Sequence, residues 1–308
     1  MERGAHAFVD DPRNDSVAVY VNGELVPRSE AVVSVFDSGF LMGDGVWEGM
    51  RLHNGRVAFL DRHLDRLYEG AKAIDLDIDL DRAELSRALY ATVAANGMES
   101  GVHIRLMVTR GLKSTPYQSP RVNIGGPTVV IVAEHKSADQ AVVARGLSLF
   151  TVHVRRGAPD VLDPKLNMHS KLNCVTAAIQ ADKADADEAL MLDPHGFVAT
   201  CNSTNFFIVR AGAVWTSTGR YCMNGITRAN VLALARQNGI SAEERDFSLT
   251  EVYGADEAFV TGTFGGLTPV REIDGRAIGA EIPGPVTRRL TALYGALIER
   301  ECPAPRQA

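Results

Sequence analysis

Long hydrophobic runs are missing from this chain of 308 residues. The longest, Val129-Val130-Ile131-Val132-Ala133, is far below the ~18 apolar residues a bilayer span needs, so no membrane partner is expected. A basic block is also missing. The 32 Lys and Arg are outnumbered by 38 Asp and Glu, leaving a net charge of −6 and none of the cationic footprint that a phosphate backbone demands. Nucleic acid is excluded as a partner on that ground. Cysteine is scarce: Cys174, Cys201, Cys222 and Cys302 form no C-x-x-C pair and no metal-ligand spacing, so no metal site is expected. No basic-then-apolar leader opens the sequence, which points to a reducing, cytoplasmic setting. In that setting the Asn202-Ser203-Thr204 glycosylation triplet is a chance match. Internal repeats and low-complexity tracts are absent too, which removes solenoid and fibrous classes.

What remains is an ordinary globular composition, 45% hydrophobic and 23% charged. At ~150 residues per domain this length predicts two domains. Residues 1–14 are polar and contain Pro12, and read as a mobile N-terminal arm. The polar stretch Glu134 to Gln140 follows an apolar strand and precedes another. It sets a smaller domain at 15–135, a linker at 136–140 and a larger domain at 141–308. Val17 to Val21 is a β-run closed by Asn22-Gly23, and Asn54-Gly55 and Asp274-Gly275 are further hairpin signals. Helices alternate with these strands. Leu60, Leu64, Leu67, Ala71 and Ile74 keep three-four spacing, and Asp81 with Glu84 forms a capping box before Leu85, Leu89 and Val93. Further helices are expected from about Ser170 to Ala184, from Thr227 to Asn238 with Gly239 as stop, and from Pro285 to about Arg300. The class is α/β, in two domains.

Two segments have the local chemistry of an anion site. Asn224-Gly225-Ile226-Thr227-Arg228 opens an apolar-periodic helix, whose first N–H groups and positive dipole end suit a phosphate. Val260 to Gly266, VTGTFGG, ends a β-run in a small, hydroxyl-rich turn. Taken singly, each is equally a glycine turn. Arg66 lies on an amphipathic helix where pairing with Glu69 is the default, and Asp44 to Glu48 sets Trp47 and a carboxylate between glycines, as pocket wall or packed strand.

Taken together, these blocks resemble the class IV aminotransferases, the pyridoxal phosphate (PLP) enzymes of fold type IV. That group includes branched-chain and D-amino-acid aminotransferases, (R)-amine transaminases and aminodeoxychorismate lyase. The resemblance runs from Phe36-Asp37-Ser38-Gly39 and Gly43 to Glu48 through His63 to Leu67, Val108 to Gly111 and Asp187-Glu188-Ala189. It continues through Asn205 to Val209, Gly225 to Arg228, Asp256 to Phe259 and Thr268-Pro269-Val270 to Asp274-Gly275. It implies two α/β domains with PLP in the cleft between them, and a site completed across a homodimer. Arg66, the amides of Ile226 and Thr227, Thr263 and the Phe264 amide would hold the cofactor phosphate, and Trp47 would line the substrate pocket. The reaction implied is amino-group transfer between a small amino acid or amine and a 2-oxo acid.

This chain departs from the family pattern in three places. The essential lysine, which forms an imine with the cofactor and carries a proton, belongs in Asp-Pro-x-x-Lys. Counting from Asp163-Pro164, Asn167 holds that position. Lys171 stands four residues on and, a helical turn being 3.6 residues, is expected to share the face of Asn167; Lys165 would share it on a strand. Lys171 is the assignment made here, with Lys165 or no lysine as alternatives. The carboxylate that faces the ring nitrogen is replaced by Thr200, which weakens the electron sink. The Arg-x-His carboxylate trap of D-amino-acid aminotransferases is replaced by Ser114-Thr115-Pro116-Tyr117, leaving Arg105, Arg110 and Lys113 as carboxylate partners. A PLP lyase and a non-transaminating PLP-binding homologue are the rival readings.

Overall fold

The computed structural model describes residues 4–304, in two compact units. One unit comprises Asp10–Ser137, Leu166–Lys171 and residues 301–304; the other comprises residues 4–9, Ala138–Lys165 and Leu172–Arg300. The chain crosses from the first unit to the second after Ser137. The return of Leu166–Lys171 to the first unit carries no signal in composition, because main-chain pairing holds it there.

The first unit is built on β1 (Ala18–Val21), β2 (Glu24–Pro27), β3 (Gly45–His53), β4 (Arg56–Val57), β5 (Val102–Thr109) and β8 (Thr128–His135). These form one antiparallel sheet in the order β2-β1-β8-β5-β3-β4, with β6 (Leu112–Lys113) and β7 (Asn123–Ile124) as a separate ribbon. Asn22 and Gly23 close one hairpin, and Asn54 and Gly55 another. All four have positive φ, as a type I′ turn requires. Alternation along β3 turns Val46, Glu48, Met50 and Leu52 inward. Val46, Met50 and Leu52 share a core with Leu64 and Leu67 of α2 (Leu60–Ala73) and Leu85 and Leu89 of α3 (Arg82–Ala95), while the short α1 (Ser38–Met42) precedes β3. The Asp81–Glu84 capping box at α3 is present as the sequence predicts.

Among the described residues, the second unit carries nine strands. They are β9 (Leu147–Thr151), β10 (Glu188–Leu192), β11 (Val198–Cys201), β12 (Asn205–Arg210), β13 (Ala213–Thr216), β14 (Ala242–Glu244), β15 (Glu257–Gly262), β16 (Gly266–Ile273) and β17 (Arg276–Ala277). The order is β11-β10-β9-β16-β15-β12-β13-β14, with β17 on β16. Its helices are α4 (Gln140–Arg145), α5 (Pro159–Leu162), α6 (Leu172–Lys183), α7 (Ile226–Gln237), α8 (Leu249–Tyr253) and α9 (Pro285–Glu301). Alternate residues of β12 enter two different cores. Phe206 and Ile208 pack with Phe247 and Val252, while Phe207 and Val209 pack with Val231 of α7 and Leu290 of α9. Both faces of this strand are therefore covered, which explains why it reads as a continuous apolar run.

The arm expected to be mobile is tied down wherever it is described; residues 1–3 lie outside the described residues. Ala5 and Ala7 are buried, the Ala5 N–H donates to Glu188 Oε1 at 3.0 Å, and Phe8 bridges Ala138. Pro12–Ser16 is a 3₁₀ turn, and the buried Asn14 amide bonds the main chain of His135. Polar composition does not reveal such backbone partners.

Glu257 shows how a buried charge is placed in the second unit. Its carboxylate accepts the N–H groups of Val286 and Thr287, both at 2.8 Å, and so caps the start of α9. Glu257→Ala leaves these donors unmet in a closed site, and is expected to cost ~1–3 kcal/mol in urea denaturation, with Glu257→Gln losing less. An unchanged unfolding midpoint contradicts this account.

Candidate active site

Segment 166–171 lies along β3 as a short extension of the sheet. Met168 bridges Val46, His169 N–H donates to Gly45 O at 2.9 Å, and Trp47 N–H donates to Asn167 O at 2.9 Å. Gly45 permits this approach, since a Cβ there would meet His169 at 3.0 Å and collide with the Val108 carbonyl. The Trp47 indole N–H donates to Met168 O at 2.9 Å, which fixes the ring. The Arg105 guanidinium stacks on that ring at 3.7 Å, and Lys171 Nζ lies 5.5 Å from its centroid. Burial lowers the Arg105 pKa, with Glu134 and Glu48 opposing.

Three sequence expectations change here. Lys171 nears Trp47 by a different route from the one expected: α6 starts at Leu172, two residues late, and 166–171 is not helical, so no helical turn relates Lys171 to Asn167. Lys165 is exposed in a turn of the other unit and does not join this segment. Arg110, expected among the carboxylate partners, is engaged within its own unit. It grips Asp44 through Nε at 2.8 Å and Nη2 at 3.1 Å, and donates to the carbonyls of Ile74 and Asp75, so its fork is spent on holding a turn.

Asn167 is 5% exposed and its Nδ2 donates to Trp47 O at 2.7 Å. Its Oδ1 is buried with no hydrogen-bond partner among the described residues. On the opposite face of β3, Glu48 is fully buried and takes both Nε and Nη2 of Arg66 at 2.7 Å, and Nδ1 of His63 at 2.7 Å. Arg66 therefore pairs with Glu48, forty-eighth in sequence and on another element, and not with Glu69 as helical spacing predicts. Burial alone would push the Glu48 carboxyl up; the bonds from Arg66 and His63 overcome this and hold it below the usual carboxylate value. Burial lowers His63 despite the pull of Glu48, so it is neutral near pH 7 and donates Nδ1–H to the carboxylate. Arg66 keeps 15% of its side chain exposed, oriented by a partner that sequence spacing did not reveal.

The second unit holds the remaining expected residues. Thr200 on β11 is 5% exposed, and its hydroxyl donates to Thr204 O at 2.7 Å. Its only hydrogen is thus committed, and Oγ1 is left as an acceptor. Thr204 Oγ1 in turn donates to the buried Glu188 at 2.7 Å, whose pKa is raised by burial. Ile226 and Thr227 open α7 behind Gly225, which offers no side-chain cap. A Cβ at Gly225 would collide with Asn205 Oδ1, while Asn205 Nδ2 holds the Met223 carbonyl at 2.9 Å. Thr263 and Phe264 lie in the turn from β15 to β16, with Phe264 buried and stacked on His6 at 5.8 Å. Thr261 near the end of β15, within the Val260 to Gly266 segment expected to suit an anion, has a buried hydroxyl with no partner among the described residues. Lys113, weighed as a carboxylate partner, is 2% exposed and donates to Asn123 Oδ1 at 3.0 Å and Ser119 O at 3.4 Å.

One unit thus carries Trp47 and the Glu48–Arg66 pair, and the other carries the uncapped start of α7 and the glycine-threonine turn after β15. Residues 45–273 match the family model for amino-transferase class IV, and the chain belongs to that family. The branched-chain-amino-acid aminotransferase-like protein 2 of Arabidopsis thaliana is 43% identical over 94% of this chain and 51% of its own length. This chain thus spans about half of that relative. The branched-chain aminotransferase of Thermoproteus uzoniensis, solved with norvaline, superposes with a TM-score of 0.84 at 34% identity, covering 93% of this chain and 96% of its own. The branched-chain aminotransferase of Thermobaculum terrenum, solved in its PLP form, gives 0.83 at 26% identity, covering 94% and 95%. Among the described residues, no helix is long and apolar enough to cross a membrane.

Proposed function

We propose that this chain is a PLP-dependent aminotransferase that moves an amino group between a small amino acid or amine, of the branched-chain kind, and a 2-oxo acid, with Lys171 as its working amine. The observation that carries the reading is the Trp47 wall, with the Lys171 ammonium 5.5 Å from the ring and Arg105 stacked on it.

The residues suit the cofactor in its phosphate and ring portions. The unmet Thr261 hydroxyl and the uncapped start of α7 are donors waiting for an anion. Arg66, the amides of Ile226 and Thr227, Thr263 and the Phe264 amide would hold the phosphate, and Thr200 would accept from the ring nitrogen. PLP supplies a carbon electrophile and a conjugated ring that stores the electron pair released at the substrate Cα. Lys171 takes and returns the Cα proton, Trp47 excludes water, and Arg105 pairs with a substrate carboxylate. Thr200 carries no charge, so a protonated ring nitrogen lacks a counter-ion and the expected reaction is slow.

Mass spectrometry of borohydride-reduced, proteolysed protein is expected to find the cofactor on Lys171, with product formation that requires an added 2-oxo acid. Pyruvate or ammonia released without an acceptor supports a lyase instead, and cofactor binding with no adduct on any lysine supports a non-transaminating homologue. The reading includes a cytoplasmic homodimer. Free thiols at all four cysteines support the compartment. Val35, Phe36, Phe40, Leu112, Tyr117 and Ile124, all exposed on one unit, support the dimer. A solution mass of about twice 33.2 kDa is expected from light scattering, and a monomer at micromolar concentration contradicts it.

A further inference from the structure

The position of the missing lysine is not an empty substitution. Asn167 donates through Nδ2 to the Trp47 carbonyl at 2.7 Å, and since that carbonyl can only accept, the amide orientation is set. Oδ1 therefore points away from the Trp47 main chain, buried and without a hydrogen-bond partner among the described residues. A carbonyl oxygen sealed from water and left unpaired destabilises the protein unless a donor reaches it. The group that satisfies it must bring an N–H or O–H; a second carbonyl in the same place would set two acceptors against each other.

We infer that Asn167 is a specificity residue for the amine form of the cofactor, with Oδ1 accepting a hydrogen bond from the 4′-aminomethyl group of a pyridoxamine phosphate. The inference rests on the functional reading above and on the register in which Asn167 holds the position of the family's essential lysine, and deepens it. Where a lysine would trap a carbonyl, the amide recognises an amine without a covalent bond. The site is thus biased toward the amino-loaded half of the transfer.

Isothermal calorimetry with two non-covalent probes tests this. Pyridoxamine 5′-phosphate carries the amine, and 4-deoxypyridoxine 5′-phosphate replaces it by a hydrogen on the same methyl carbon. Wild-type protein is expected to bind the amine ~10-fold or more tightly than the methyl analogue, a difference of the size of one hydrogen bond to a charged group. In Asn167→Leu, of similar volume but without an acceptor, the preference is expected to fall to about onefold with affinity for the methyl analogue kept. Equal affinity of the wild type for both probes overturns the inference even if the variant fails to fold. So does a preference that survives in Asn167→Leu. Binding of neither probe removes the cofactor assignment itself, whereas equal binding of both removes only the role of Asn167.

Discussion

Lys171→Ala is expected to lower amino transfer by ~10²–10⁴-fold, the usual worth of a positioned proton carrier, and to abolish the borohydride-stable adduct. Lys165→Ala is expected to change neither, because Lys165 is exposed and lies outside the segment paired with β3. The two variants separate the candidate amines cleanly. Added methylamine is expected to restore part of the rate in Lys171→Ala, since a small amine can occupy the space of the lost ammonium beside Trp47. Unchanged turnover in Lys171→Ala removes that residue from the chemistry. A loss of turnover caused by misfolding would show as altered near-ultraviolet dichroism of Trp47, which holds the side chains together.

The second large effect belongs to Glu48. Its carboxylate is fully buried between His63 and Arg66, with three contacts at 2.7 Å. Glu48→Ala removes the buried carboxylate that Arg66 and His63 share, and is expected to cost ~3–5 kcal/mol of stability. The same change releases Arg66 from its orientation, so phosphate affinity is expected to fall even where the protein remains folded. Calorimetric binding of pyridoxamine 5′-phosphate, measured beside urea denaturation, reads both consequences. A fully stable Glu48→Ala protein with undiminished affinity contradicts the positioning role.

The pH dependence follows from the same triad. Glu48 titrates below its ordinary value of 4.5 in the folded chain, so its contribution is complete above that pH and is lost as pH falls through the folded value. His63 is also depressed, from 6.5, so the unfolded chain takes up a proton first and stability declines as pH drops below about 6.5. Both groups act in one direction. Stability is expected to fall monotonically from pH 7 toward pH 4, with Glu48→Gln losing the part of the decline below about 4.5.

Local signals in the sequence had local causes. The Asn-Gly turns, the capping box of Asp81 and Glu84 and the amphipathic stripe of α2 each depend on neighbours within a few residues, and each is present. The side chains at 167 and 200, an amide and a hydroxyl, were equally legible, because a side chain's chemistry is written at its own position. Contacts between distant segments were not legible. Spacing on α2 favoured Glu69 for Arg66, but Glu48 on β3 took it, since a buried carboxylate must find a cation and packing against the sheet brought Arg66 there. Arg110 looked available until Asp44 and the end of α2 consumed its donors.

By itself, then, the sequence determined the family, the elements and the identity of the groups available for chemistry. Only the tertiary structure decided which groups still had hydrogen bonds to give or accept. Thr200 kept only its lone pairs once its hydroxyl donated to Thr204, and Asn167 kept one oxygen unpaired among the described residues once its amide reached Trp47. The reason is physical: each donor and acceptor can be spent once, and which partner spends it depends on segments far apart in the chain.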